Sequence, residues 1–262
     1  MEDTKNNLRK IIESDDVAYG AETKTRTLST IETFGDIGMD FVWIDLEHTG
    51  PSPYDSDTLE NFVRAAEICG TEILMRLPTG EPHLIRKVLD AGIRNILIPR
   101  LETASQVKEA VAATRYVYED GPGDRGVGTG RSSRWGYGLD GYTVKEDRSV
   151  LIGVMIENKT ALDNLEEILN VPDLGFVFIG PADLSVSLDV PLQTNSEPVL
   201  EAISLIRKQA LASGVPVGRI ANDIETIHES VDNGYSLLRI GSELDAARVL
   251  LTDRLNLASA PR

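Results

Sequence analysis

The stretch LIGVMIENKTALDNLEEILNVPDLGFVFIGPADLS (151–185) decides the fold. LIGVMIE (151–157) and GFVFIG (175–180) are short, continuous apolar runs. ALDNLEEILN (161–170), between them, has helical spacing, with Thr160 as a candidate cap and Pro172 as a stop. Apolar runs without alternation read as strands buried on both faces, and hence as a parallel sheet. One strand–helix–strand unit of this kind is a βαβ crossover. Each of its two runs closes on an acid: Glu157 ends the first, and Asp183 follows the second. A carboxylate at the end of a buried strand costs free energy unless a cation pairs with it. Two of them at the ends of consecutive parallel strands point into one bowl. Hard oxygens gathered there suit a divalent cation such as Mg²⁺ or Mn²⁺.

The same alternation continues outward in both directions. Strands are expected at VAYG (17–20), FVWID (41–45), EILMRL (72–77), NILIP (95–99), PVGRIA (216–221) and YSLLRIG (235–241), making eight with the two above. Helices are expected over LIRKVLDAG (84–92), ASQVKEAVAATRY (104–116) behind a Thr103 cap, and PVLEAISLIRKQALASG (198–214). The last opens with proline and closes with glycine. Eight strand–helix repeats point to an α/β fold of the (β/α)₈ TIM-barrel type, with a doubly wound open sheet as the alternative. No linker or low-complexity tract divides residues 1–262, so one domain is expected. Only 117–149, with its glycine-rich GVGTGRSSRWGYG (126–138), is too long for an ordinary connection.

A chain of 262 residues with 41% hydrophobic content suits one such barrel. Its 42 acidic and 26 basic residues give a net charge of -16, which argues against nucleic-acid and anionic-membrane partners. Solvated helix faces and a salt-rich host cytoplasm are both compatible with that excess. Cys69 is the only cysteine, so no intramolecular disulfide forms. No apolar stretch is long enough for a bilayer, and MEDTKNNLRK lacks a signal core. A cytoplasmic location is expected.

In a TIM barrel the chemistry sits at the C-terminal ends of the strands. His48 lies there, and His83 and His228, the other two histidines, read as surface residues. His48 suits proton transfer at neutral pH, with Asp90 as a candidate to orient it; a satisfied loop histidine is the plain alternative. Arg76 closes an apolar strand, where a buried guanidinium needs an anion: a substrate carboxylate, or an internal bridge to Glu157 or Glu47. In the glycine-rich loop, Arg131 and Arg134 are candidates to meet a distal anion, although a surface loop explains the composition equally well. Lys159 lies beyond Glu157 at a helix start, which disfavours a Schiff-base mechanism.

Taken together, FVWIDLEHTGPS (41–52), ILMRLP (73–78), VLDAGIRNILIPRLETASQVKEAVAATRY (88–116), RGVGTGRSSRWGYG (125–138), MIENKTALDNLEEIL (155–169), GFVFIGPADLSVSL (175–188) and LLRIGSEL (237–244) resemble the HpcH/HpaI aldolase family. These are the metal-dependent pyruvate aldolases of 4-hydroxy-2-oxoheptanedioate and 2-dehydro-3-deoxyglucarate type. The resemblance implies Mg²⁺, Mn²⁺ or Co²⁺ on Glu157 and Asp183, with pyruvate bound to that ion. It implies enolate stabilisation by Arg76 and proton transfer by His48 steered by Asp90. It also implies a pyruvate carboxylate held on the segment Gly180, Pro181, Ala182 and Asp183. The C-terminal helix would swap between subunits of a homo-oligomer, a trimer or hexamer.

The expected reaction is cleavage of a 4-hydroxy-2-oxo acid to pyruvate and an aldehyde. A related lyase of oxaloacetate-decarboxylase or acyl-CoA type, and a non-catalytic small-acid-binding barrel, are the alternatives. Met155 stands where the family commonly has glutamine, VAYGAETKTRTL (17–28) replaces a tryptophan-containing turn, and PSPYDSD (51–57) reads as an insertion. All three bear on which substrate is used.

Overall fold

The computed structural model describes residues 6–119 and 121–259; the first five residues of MEDTKNNLRK lie outside the described residues. Eight parallel strands close into a barrel in chain order: β1 (Ala18–Glu22), β2 (Phe41–Asp45), β3 (Glu72–Arg76), β4 (Asn95–Ile98), β5 (Leu151–Ile156), β6 (Phe176–Ile179), β7 (Val217–Ile220) and β8 (Leu237–Ser242). The closed barrel, not the open sheet, is the fold. β8 pairs with β1 across a register shift between Gly20 and Glu22.

Residues of alternate orientation divide the core in two. Ile44, Ile73, Ile96, Ile152, Val177 and Leu238 face the surrounding helices. Phe41, Trp43, Leu74, Leu97, Met155, Phe176, Phe178 and Leu237 fill the barrel interior. Three glycines make room for three of those rings. A Cβ on Gly20, Gly153 or Gly218 would lie within about 2.5 Å of Phe41, Phe176 or Phe178, respectively. Each of these glycines is the direct register partner of the phenylalanine it accommodates.

The helix Asn7–Glu13 plugs the floor of the barrel, placing Leu8 and Ile12 against the interior residues. Asn6 donates to Asn95 Oδ1 (2.6 Å) and to the Ser149 carbonyl (2.7 Å), and Asn95 donates to the Ile73 carbonyl (3.1 Å). These bonds satisfy the buried amides that close this end. Thr103 caps the helix Ala104–Thr114 in a reciprocal capping box with Gln106, as the sequence suggests. ALDNLEEILN is not one helix but two, Lys159–Asp163 and Leu165–Leu169, and its cap is Asn158 rather than Thr160. The break falls at Asn164, whose side chain donates to the Glu102 carbonyl (2.9 Å) instead of continuing the helix.

The segment 117–149 follows a helix and precedes a strand, so it lies at the floor, away from the strand ends that carry the bowl. It is folded there. Arg125 is fully buried: Nη2 donates to Asp90 Oδ1 (3.0 Å), and the guanidinium lies 4.6 Å from the Tyr116 ring centroid. Arg131 pairs with Glu67, and Ser133 Oγ donates to the Gly128 and Gly130 carbonyls (3.1 Å each). A Cβ on Gly128 would sit 2.5 Å from Asp90 Oδ2, and one on Gly130 would sit 2.6 Å from the Asp90 carbonyl. The glycines therefore serve a close approach to a helix end. The last helix, Glu243–Ser259, leaves the barrel, and every residue from Leu244 to Ala258 is exposed. Among the described residues, no helix is long and apolar enough to cross a membrane.

Candidate functional site

Parallel pairing sets Asp45 beside Arg76, because the two are register partners at the C-terminal ends of β2 and β3. Arg76 Nε and Nη2 donate to Asp45 Oδ1 (2.9 Å) and Oδ2 (2.8 Å), a bidentate pair. Its guanidinium lies 5.7 Å from the Trp43 ring centroid, and Nη1 stands 3.1 Å from Glu47 Oε2 and 3.8 Å from Met155 Sδ. Arg76 is thus locked on one side by Asp45 and carries its charge into the bowl. The internal bridge to Glu47 exists; Asp45, the stronger partner, was not singled out from the sequence. Burial opposes the Arg76 charge, but Asp45, Glu47 and Glu157 together outweigh it and raise its pKa.

Burial alone would raise the Asp45 carboxyl too. The hydrogen bond and charge of Arg76, with the N–H groups of Glu47 and His48, hold it below its ordinary value instead. Glu47 goes the other way. Burial raises it first, the charges of Asp45 and Asp183 add to that, and Arg76 and His48 offset only part. Glu47 Oε2 is buried and, despite standing 3.1 Å from Arg76, has no partner in hydrogen-bond geometry.

Glu157 is 3% exposed. Its Oε1 accepts the Arg100 N–H (2.9 Å), which a left-handed Arg100 (φ 59°) aims at it from the end of β4. Burial first, then the Glu47 and Asp183 charges, push its pKa up to about 7, against the Arg100 N–H and the Arg76 charge. Asp183 is exposed in the first turn of the helix Pro181–Ser187. Gly180 makes that approach possible: a Cβ there would lie 2.7 Å from Glu157 Cβ and 2.9 Å from its Oε2. Pro181 opens the helix, and no side chain caps it, so the N–H groups of Ala182 and Asp183 have no intrahelical acceptor.

Glu47, Glu157 and Asp183 thus gather three mutually repelling carboxylates beside one guanidinium. Among the described residues, no three His, Cys, Asp or Glu side chains form a ready-made metal cluster. The donors instead come as a buried acid, Glu157, and an exposed one, Asp183, with Glu47, already bridged to Arg76, close enough to repel both. Hard oxygens and surplus negative charge, only part of it offset by Arg76, fit a divalent cation that draws its remaining ligands from substrate and water.

The structure brings together Arg76, Glu157, Gly180, Pro181, Ala182 and Asp183, with His48 at the edge of the group. The His48 side chain is 61% exposed, and its Nε2 stands 3.5 Å from Glu47 Oε2. Two sequence candidates are elsewhere. Asp90 ends the helix Pro82–Asp90, which runs back from β3, so it lies at the floor bonded to Arg125 and does not orient the His48 of its own chain. Glu47 occupies that position. Arg134 lies in the floor segment as well (φ 54°), remote from the bowl of its own chain.

Residues 24–248 match the profile of the HpcH/HpaI aldolase/citrate lyase family. The chain is 35% identical over 251 residues to a hydroxypyruvate/pyruvate aldolase of Roseobacter denitrificans, covering 95% of this chain and 94% of that protein. It is 32% identical over 238 residues to the 2-keto-3-deoxy-L-rhamnonate aldolase of Escherichia coli (strain K12), covering 90% and 86%. The crystal structure of an HpcH/HpaI aldolase/citrate lyase family protein from Burkholderia cenocepacia J2315 matches with a TM-score of 0.85 at 28% identity, covering 97% of this chain and 98% of that one.

Proposed function

The chain belongs to the HpcH/HpaI aldolase/citrate lyase family, and from that membership we propose that it is a class II aldolase cleaving a 4-hydroxy-2-oxo acid to pyruvate and an aldehyde. The observation that carries the reading is the surplus of carboxylate at Glu47, Glu157 and Asp183 beside a guanidinium fixed by Asp45. In our reading Glu157 and Asp183 hold Mg²⁺, Mn²⁺ or Co²⁺. That ion, when bound, supplies a Lewis acid for the 2-oxo group.

The chain's own residues do the rest. Arg76 places fixed positive charge where the 2-oxo oxygen becomes an enolate oxygen. The free N–H groups of Ala182 and Asp183 donate to the pyruvate carboxylate. His48 takes the proton of the 4-hydroxyl as the C3–C4 bond breaks, and Glu47 stabilises the imidazolium that results. The bond electrons pass to C2–O, the aldehyde leaves, and a proton returned to C3 yields pyruvate. Arg76 and the Trp43–Phe178 pair (ring centroids 5.0 Å apart) form the wall below the site. Asp90 and Arg134 would serve such a bowl only from a neighbouring copy. The exposed apolar residues of the last helix, Val249, Leu250, Leu251 and Leu255 among them, suit exchange between subunits of a homo-oligomer. The single Cys69 suits the reducing cytoplasm.

The test is pyruvate release from 4-hydroxy-2-oxo acids, with the protein stripped by chelator and then reloaded. Activity is expected to vanish on stripping and return with Mn²⁺, Mg²⁺ or Co²⁺. Oxaloacetate turnover without any aldehyde condensation would refute the aldolase assignment.

A further inference from the structure

Glu157 is oriented by a backbone group in a costly conformation. The N–H that meets its Oε1 (2.9 Å) belongs to Arg100, a residue with a Cβ at φ 59°. The left-handed region disfavours such a residue, and the conformation persists only where the surroundings over-determine it. Arg100 itself is exposed, so the constraint comes from its neighbours along the chain.

Those neighbours are held firmly. Before Arg100, Pro99 is buried, and its ring fixes its own φ. After it, Leu101 packs in the core against the turn at Gly80, where a Cβ would lie 3.0 Å from Leu101 Cδ2. Glu102 is gripped at both of its backbone groups. Its N–H donates to Gln106 Oε1 (2.8 Å), and its carbonyl accepts from Asn164 Nδ2 (2.9 Å). The capping box of the helix Ala104–Thr114 accounts for Gln106. Nothing comparable accounts for Asn164. It stands at the N-cap of the helix Leu165–Leu169, yet its side chain makes no capping bond there. It closes the helix Lys159–Asp163, into which the chain runs from Glu157. Its one donated bond therefore ties the segment leaving β5 to the loop leaving β4. The same two segments meet again at Arg100 and Glu157, so chain and hydrogen bonds form a closed ring around the acid.

We propose that Asn164 is a positioning residue for the aldolase reaction: by holding the Glu102 carbonyl it keeps Arg100 left-handed and its N–H on Glu157, which keeps that carboxylate oriented for the divalent ion. The proposal rests on the metal-dependent reading of Glu157. Loss of a residue that orients a metal ligand typically costs ten- to a hundredfold in affinity.

The experiment is a double-mutant cycle on Mn²⁺ affinity, read by calorimetry in wild type, Asn164→Asp, Arg100→Gly and the double variant. Aspartate keeps the shape of Asn164 but has no N–H to donate. Its added negative charge would by itself tighten cation binding, so a loss of affinity reports lost orientation. Glycine holds φ > 0 without support. Asn164→Asp should raise the Mn²⁺ Kd about ten- to a hundredfold in the wild-type background, and by less than about threefold in the Arg100→Gly background. A residue that merely stabilised the fold would cost the same in both. Where Asn164→Asp fails to fold, Asn164→Ala replaces it with the same expectation. An unchanged Kd in the first background, or an equal loss in both, overturns the proposal. A wild type that binds no Mn²⁺ counts against the metal-dependent reading instead. The brace is then judged without the ion, by amide exchange at position 100 in chelator, read by mass spectrometry on fragments spanning 98–102. Exchange there should be about tenfold faster in Asn164→Asp than in wild type; equal rates overturn the brace.

Discussion

Replacing Glu157 by glutamine removes one charge and almost no volume, and it separates what the carboxylate costs from what it does. Between its ordinary pKa of 4.5 and its folded value of about 7, the native state holds a proton that the unfolded chain has lost. Native stability therefore falls as pH rises through that window, and the full penalty is present above pH 7. About 2.5 pH units at 1.36 kcal/mol each set an upper limit of about 3 kcal/mol. Glutamine keeps an oxygen for the Arg100 N–H, but it adds amide donors in a dry place, which lowers the expected gain to about 2 kcal/mol. In chelator at pH 8, Glu157→Gln should thus be more stable than wild type, with a Tm higher by roughly 5 °C. As pH falls below 4.5, where the wild-type acid becomes protonated in both states, the two should converge. Adding Mn²⁺ should reverse the order, since only the wild type keeps both anionic ligands. Urea titrations of the two proteins at pH 8 and pH 5, with and without the ion, measure all three quantities. A variant no more stable than wild type at pH 8 in chelator would refute the reasoning, as would a gain that persists unchanged at pH 5.

Arg76→Ala should lower kcat by about 10²–10³, the usual loss for one donor at a developing oxyanion. It should also leave Asp45 buried without its cation, which a lower urea midpoint would report, most strongly at high pH; an unchanged kcat removes the enolate role. Gly180→Ala adds a Cβ within 3 Å of Glu157 and should weaken Mn²⁺ binding at least tenfold, read by calorimetry, at a cost in stability of about 1–3 kcal/mol. Undiminished affinity would mean that Glu157 is not part of the ion's site.

The strands were legible because both faces of each are buried, so FVWID and FVFI stand out as unbroken apolar runs. Arg76 was legible for the same reason, as a cation where none is cheap. Its partner Asp45 was not singled out, although inward residues at equal height on neighbouring parallel strands must meet. Asp90 and the glycine-rich loop lie away from the bowl because direction along the chain, not composition, decides which end of the barrel a segment reaches. A residue at the end of a βα-unit helix, or in the segment after it, lies at the floor of a barrel. The first strand runs two residues past the expected Gly20, to Glu22, across the irregularity in its pairing with β8. The broken helix at Asn164 depends on a carbonyl 62 residues away.

The glycine–phenylalanine matches inside the barrel bear on how reliably the catalytic rim is assembled. If β1 and β2, β5 and β6, or β6 and β7 zipped together one step out of phase, a ring would strike a side chain and a void would open opposite. Such a slip would also turn Asp45 or Glu157 away from the axis and shift it by about 3.3 Å. The three rings work as keys cut for single locks, rejecting misaligned folding intermediates at the base of the molecule. A feature with no part in the chemistry thereby guards the heights at which the acids and Arg76 meet.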